Sequence, residues 1–137
     1  MKKIYSKIKK KKLLHIIFSP SKKNQRINIS PESEYMQLCY LNLNKNNKFL
    51  AHKHFWKINN QKKRIVQESW LLIKGSVKVH LYDINDKFLT SKTLKPGDVS
   101  ITFEGGHKLE VLKNNTMIYE HKTGPYEGQK NDLKYLK

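Results

Sequence analysis

The sequence predicts an all-β fold, a sandwich or a closed barrel, and three observations predict it. From Ile27 onward apolar and polar residues alternate with the period of two that a half-buried strand requires. Val77, Val79 and Leu81 against Lys78, His80 and Tyr82 are the clearest case. Turn-forming clusters of Gly, Pro, Asn and Ser interrupt the apolar runs at intervals of about 8–12 residues, the spacing of short strands in sandwiches and barrels. No segment beyond the first dozen residues places its apolar side chains at helical spacing.

Taken in order, Met1 to Lys12 carries seven lysines around Ile4, Tyr5 and Ile8. Like charges repel at this density, so a solvated basic tail is expected, with a surface patch for anionic lipid or nucleic acid as the sharper alternative. Leu13 to Phe18 reads as a first strand or a dimer-swapped edge, ended by Ser19-Pro20. Residues 1–24 are thus a tail with a first strand, and 25–137 a single barrel domain. Ile27 and Ile29 open it, and Ser30-Pro31-Glu32-Ser33 turns the chain. Tyr35 to Leu43 is a strand, then Asn44 to Asn47 a turn. Phe49 to Phe55 is a strand, Asn59 to Lys63 a polar loop, and Arg64 to Ile73 another strand, turned by Lys74-Gly75-Ser76. Val77 to Tyr82 forms a hairpin with Phe88 to Leu94. Lys95-Pro96-Gly97-Asp98 is a turn in which proline presets φ and glycine can take it positive. Val99–Phe103, Lys108–Leu112 and Met117–Thr123 complete the set, separated by Gly105-Gly106 and Asn114-Asn115.

The 137 residues fit one domain. A single cysteine, Cys39, excludes a disulfide framework and sits in an apolar run, as a small buried hydrophobe would. Leu13–Phe18 is far shorter than the ~20 residues of a spanning helix, and no cleavage site follows it, so a cytoplasmic protein without a membrane span is expected. The net charge of +17 invites nucleic acid. However, the lysines are spread along the chain, and the only arginines, the residues that best grip phosphates and bases, are Arg26 and Arg64. Specific nucleic-acid binding is therefore not expected. No Ser/His/Asp set, phosphate-cradling glycine loop or CxxC pair is present.

The chemistry concentrates between His52 and Gly75, with His107 returning to meet it. His52 and His54 lie one residue apart on an extended segment, so their imidazoles share a face. Glu68, on a following strand with six residues between it and the turn glycine Gly75, can look into the same interior. Neutral imidazoles with a carboxylate are ligands that a borderline divalent cation prefers. His15, His80 and His121 lack this spacing and read as structural or exposed. His121 would face inward only if Met117 and Tyr119 did.

His52-x-His54 with Glu68 and Gly75, then Lys95-Pro96-Gly97-Asp98 with Gly105-Gly106-His107, resemble the two motifs of the cupin family. The resemblance covers about Phe49 to Tyr126. It implies a double-stranded β-helix (jelly-roll) barrel, usually dimeric, with one divalent metal (Zn, Fe, Mn or Ni) held by His52, His54, Glu68 and His107. Two features depart from the pattern. Thirteen residues separate His54 from Glu68, more than in the family, as a longer hairpin loop would allow. The second motif keeps its turn and histidine but lacks the usual proline and terminal asparagine.

Gly105-Gly106-His107 and Gly124-Pro125-Tyr126 further resemble small cupins found beside nucleotide-sugar and surface-polysaccharide genes. This implies a small, sugar-derived or acidic ligand and a metal-dependent isomerase or oxygenase, or else a non-catalytic ligand-binding or regulatory module. The candidate catalytic residues are Tyr126 as a phenol donor, and Arg64 and Lys108 as partners for a carboxylate or phosphate. Trp56 is a candidate platform for a sugar ring. Cupin epimerases that work without metal rely on a histidine–aspartate relay, and the sequence shows no such pair.

Overall fold

The computed structural model describes residues 1–20, 23, 25–59 and 62–137. Its strands are β1 (Lys2–Tyr5), β2 (Leu13–Ile17), β3 (Gln25–Asn28), β4 (Met36–Leu43), β5 (Lys48–His54), β6 (Trp56–Asn59), β7 (Lys62–Ile65), β8 (Glu68–Lys74), β9 (Val77–Tyr82), β10 (Phe88–Leu94), β11 (Val99–Thr102), β12 (Gly106–Val111), β13 (Thr116–Thr123) and β14 (Leu133–Tyr135). One helical turn, α1 (Gln129–Asp132), precedes β14. Two five-stranded antiparallel sheets, ordered β10-β9-β12-β5-β14 and β11-β8-β13-β4-β3, form the expected jelly roll. No helix among the described residues is long and apolar enough to cross a membrane.

The strand alternation read from sequence decides what the barrel buries. Val77, Val79, Leu109, Val111, Leu72, Ile118, Leu41 and Trp70 point inward from both sheets and form one core with Cys39 and Leu94. Burial raises the Cys39 thiol to about 11, so this thiol stays protonated and inert. The turn at Gly75 passes from one sheet to the other. Gly75 has φ of 95°, and a Cβ there would run into the backbone and hydroxyl of the buried Thr116. Gly75→Ala is expected to cost about 2 kcal/mol or more and to lower the melting temperature by several degrees. An unchanged melting temperature would show that the turn can relax.

The basic N-terminus is a hairpin where a free tail was expected. β1 pairs antiparallel with β2, and Ser6 closes the turn: its amide donates to Lys12 O (2.8 Å), and its hydroxyl accepts from the amides of Ile8 and Lys9. Repulsion does not prevent this, because the lysines of the turn point into water, where their charges are screened. Phe18 then packs on Tyr40, with ring centroids 5.4 Å apart, tying the hairpin to the barrel.

The residues inserted between His54 and Glu68 form a second small hairpin. β6 pairs with β7 from Trp56↔Ile65 to Asn59↔Lys62. The expected loop Asn59–Lys63 therefore shrinks to the hairpin tip, of which Asn60 and Gln61 lie outside the described residues. The predicted strand from Arg64 to Ile73 is divided at Val66-Gln67, where the chain leaves the hairpin and enters the barrel at Glu68.

Candidate metal centre

Three strands, β5, β8 and β12, bring the four candidate ligands together. On β5 the inward positions are His52 and His54, with Lys53 outward and paired to Asp86. β12 lies beside β5 in the register that sets His107 opposite His52. β8 begins at Glu68, with Thr102 of β11 opposite it on one side and Lys122 of β13 on the other. His52, His54, Glu68 and His107 are all buried, and one ligand atom from each lies within 4.8 Å of the others.

Each imidazole has an outer partner and turns its Nε2 inward. His52 Nδ1 donates to Leu50 O (2.7 Å), and His54 Nδ1 donates to Asp132 O (3.1 Å). A carbonyl can only accept, so these bonds place a proton on Nδ1 and leave Nε2 as the atom that faces the cluster. His107 Nδ1 meets the Thr102 hydroxyl at 2.8 Å. The Nε2 atoms of His52 and His107 then lie 3.0 Å apart, and His54 Nε2 is 3.1 Å from Glu68 Oε2.

Burial lowers His52 to about 4 and holds His107 well below the usual histidine range, with the neighbouring histidines adding to the effect. Burial acts on His54 in the same direction, but Asp132 and Glu68 on either side outweigh it and raise His54 to about 9. Burial, with Glu120 nearby, raises Glu68.

This donor set fits a divalent cation. His54 Nε2 is buried and aimed into the cluster with no aligned hydrogen-bond partner among the described residues. Two imidazole nitrogens 3.0 Å apart have the separation of neighbouring ligands on one cation with bonds of about 2.1 Å. The outer partners of all three rings are the orienting contacts that ligating histidines require. Three imidazoles and one carboxylate suit Zn, Fe, Mn or Ni and do not choose among them.

Without a cation the two perturbed histidines pull stability in opposite directions. As pH falls below about 6.5 the unfolded chain takes up a proton that folded His52 refuses until about 4, so acid destabilises the fold. Between about 6.5 and 9 folded His54 keeps a proton that the unfolded chain has lost, so stability also falls as pH rises through that window. Chelator-treated protein is expected to melt highest near neutrality. A melting temperature that keeps climbing to about pH 9 would contradict the assignment of His54.

Comparison with solved structures places the architecture. A double-stranded β-helix domain protein from Klebsiella pneumoniae superposes with a TM-score of 0.60 at 16% identity, covering 96% of each chain. KdgF from Halomonas sp. gives 0.56 at 13% identity over 72% of this chain and 78% of that one. A cupin superfamily protein from Desulfitobacterium hafniense gives 0.54 at 12% identity, over 78% of this chain and 83% of that one. The chain has the cupin fold. Its sequence matches no protein-family model and no curated protein.

Within this cupin barrel the other candidates separate. Tyr126 lines a cavity of about 300 Å³ at the barrel mouth, with Lys122 Nζ 5.2 Å from its ring centroid. Arg64 stands on β7 beside Tyr35, in a groove outside the mouth, and Trp56 lines the same groove. Lys108 follows His107 on β12 and so faces away from the site, where its ammonium pairs with Glu110 at 2.6 Å. His80 also meets Glu110, at 3.3 Å. His121 shares a face with Tyr119 and Met117, as alternation requires, but that face is the outer one: Thr116, Ile118 and Glu120 are the buried residues of β13.

The structure adds residues that the sequence reading passed over. Lys122, on the inward parity of β13, reaches Asp132 Oδ2 at 3.0 Å and Glu68 Oε2 at 3.9 Å. Asp132, buried, also binds Lys57 Nζ at 3.1 Å, and its Oδ2 lies 3.5 Å from His54 Nδ1. Burial alone would raise the Asp132 carboxyl, but His54, Lys122 and Lys57 hold it well below the usual carboxylate range. A histidine–aspartate pair therefore does exist here, built across 78 residues of sequence. Glu120 accepts from the buried Trp70 indole (3.4 Å) and pairs with Arg26. Glu120 and Lys122 continue the line of Ile118, but β13 carries apolar residues at both parities, so alternation alone did not mark them. Nothing local marks Asp132.

Proposed function

We propose that the protein is a metal-dependent cupin enzyme that acts on a small, sugar-derived or otherwise acidic metabolite held in the barrel mouth. The observation that carries this reading is the convergence of three outer-braced imidazole nitrogens and Glu68 beside a cavity at the barrel mouth. Two cavities, of about 300 and 230 Å³, meet at the mouth and share Glu120, Lys122, Gln129 and Leu133; the smaller is lined by His52 and Glu68. A divalent cation bound there supplies Lewis acidity toward a ligand oxygen. Lys122 and Arg26 line the larger cavity, paired there with Asp132 and Glu120, and Tyr126 presents a phenol hydroxyl able to hydrogen-bond a ligand oxygen. An oxalate decarboxylase from Bacillus subtilis shares the fold, with a TM-score of 0.59 at 17% identity over 81% of this chain and 27% of that one.

The same reading includes a cytoplasmic homodimer. Val99 and Ile101 on edge strand β11, and Phe103 just after it, are all more than half exposed and form a surface that suits a second copy. Light scattering should give twice the chain mass. The test of function is turnover of small acids and phosphorylated sugars by chelated and by metal-reconstituted protein. Turnover that disappears with chelator and returns with metal supports the enzyme. Tight, saturable binding without turnover replaces it with the non-catalytic module.

A further inference from the structure

We propose that the groove between the β6–β7 hairpin and the segment from Thr123 to Asn131 is a second ligand site, for a sugar ring that carries a phosphate or carboxylate. The groove encloses about 760 Å³, within the range of small-molecule sites, roughly 300–1,000 Å³. It shares no lining residue with the two mouth cavities; the segment from Gly124 to Asp132 runs between them. One wall is the insertion between His54 and Glu68, the part of this chain that departs most from the cupin motif.

Ring and charge recognition meet in this groove. Tyr35, Phe55 and Trp56 line it and remain 54%, 38% and 47% exposed. Their faces suit the apolar C–H face of a pyranose, as flat apolar surfaces pack on aromatic rings. Lys57, Arg64 and Lys130 contribute three cations against one lining acid, Glu127. Glu127 lies 3.7 Å from Lys57 Nζ, and Lys57 also binds Pro125 O and Asp132. Among the described residues, Arg64 and Lys130 have no carboxylate partner, and the Arg64 guanidinium rests over the Tyr35 ring at 6.0 Å. A guanidinium placed here presents a planar fork to a phosphate or carboxylate, beside aromatic faces that a simple inorganic anion would leave unused.

The test is calorimetric titration of the full chain with glucose 6-phosphate and with glucuronate, beside glucose and inorganic phosphate, each of which offers one feature only. Saturable binding of at least one anionic sugar is expected, about tenfold or more tighter than glucose or phosphate. Arg64→Ala and Trp56→Ala should each weaken it about tenfold, and Arg64→Lys should weaken it less, since charge survives and the fork does not. Both side chains are exposed, so the barrel core is untouched. Binding should persist in a His52→Ala/His107→Ala variant, which separates this groove from the metal centre. Absence of binding by both anionic sugars, equal binding of glucose or phosphate, indifference to both groove substitutions, or loss in the histidine variant would each overturn the proposal. Preference between the two anionic sugars identifies the source of the charge.

Discussion

Replacing His52 and His107 together by alanine should abolish stoichiometric divalent-metal binding. The two Nε2 atoms face each other across 3.0 Å and are half of the four converging candidate ligand atoms. Loss of an outer contact to a ligand already costs about 10–100-fold in affinity, so loss of two ligands should exceed that range. Elemental analysis after reconstitution should find about one metal per wild-type chain and a small fraction of that in the variant. Uptake of metal near neutral pH should also release a proton, because His54 is charged below about 9 without metal and must present a free lone pair with it. Near-ultraviolet circular dichroism checks that the barrel core around Trp70 survives. If wild-type protein takes up none of Zn, Fe(II), Mn or Ni, the metal reading falls. The His54–Asp132 pair then becomes the candidate proton-holding device, in a barrel that works without metal.

Asp132→Ala is the substitution expected to cost most in stability. Its carboxylate is buried and neutralises Lys57 and Lys122, whose side chains are themselves only 16% and 14% exposed. Removing one partner of a buried ion pair leaves a charge without compensation, a loss of about 3–5 kcal/mol, or roughly 10–15 °C in melting temperature for a domain of this size. Asp132→Asn keeps the shape and the backbone carbonyl that holds His54 Nδ1, and removes the charge. Its stability loss should be smaller, while the pKa of His54, followed by NMR titration of the metal-free protein, should fall from about 9 toward the usual histidine value. A His54 pKa that does not move in Asp132→Asn would assign its elevation to Glu68 alone.

The two β5 histidines were legible because a strand has a fixed period: with one residue between them, both had to face the same way. Glu68 and His107 were legible from motif spacing, although an inserted hairpin stretched the first interval. Parity was harder on β13. Its odd and even positions both carry apolar residues, Met117 and Tyr119 against Ile118, so the sequence did not say whether His121 or Lys122 looked inward. Lys108 illustrates the same point, since its position beside His107 sends it to the opposite face.

By itself, then, the sequence determined the β-barrel class, most of the barrel strands and the shared face of His52 and His54, because these follow from local alternation and turn chemistry; Glu68 and His107 joined them through the resemblance to the cupin motifs. Tertiary structure alone decided which residues brace and surround that centre. Thr102 reaches His107 because β11 pairs with β8 at Glu68. Asp132 reaches His54 because β14 adds to the edge of β5 in the register Leu133↔His54. The separation of Arg64 and Trp56 from the mouth likewise depends on the course of the chain from Gly124 to Asp132. These placements rest on pairing between segments distant in sequence, where burial and register choose the partner and no local pattern records the choice.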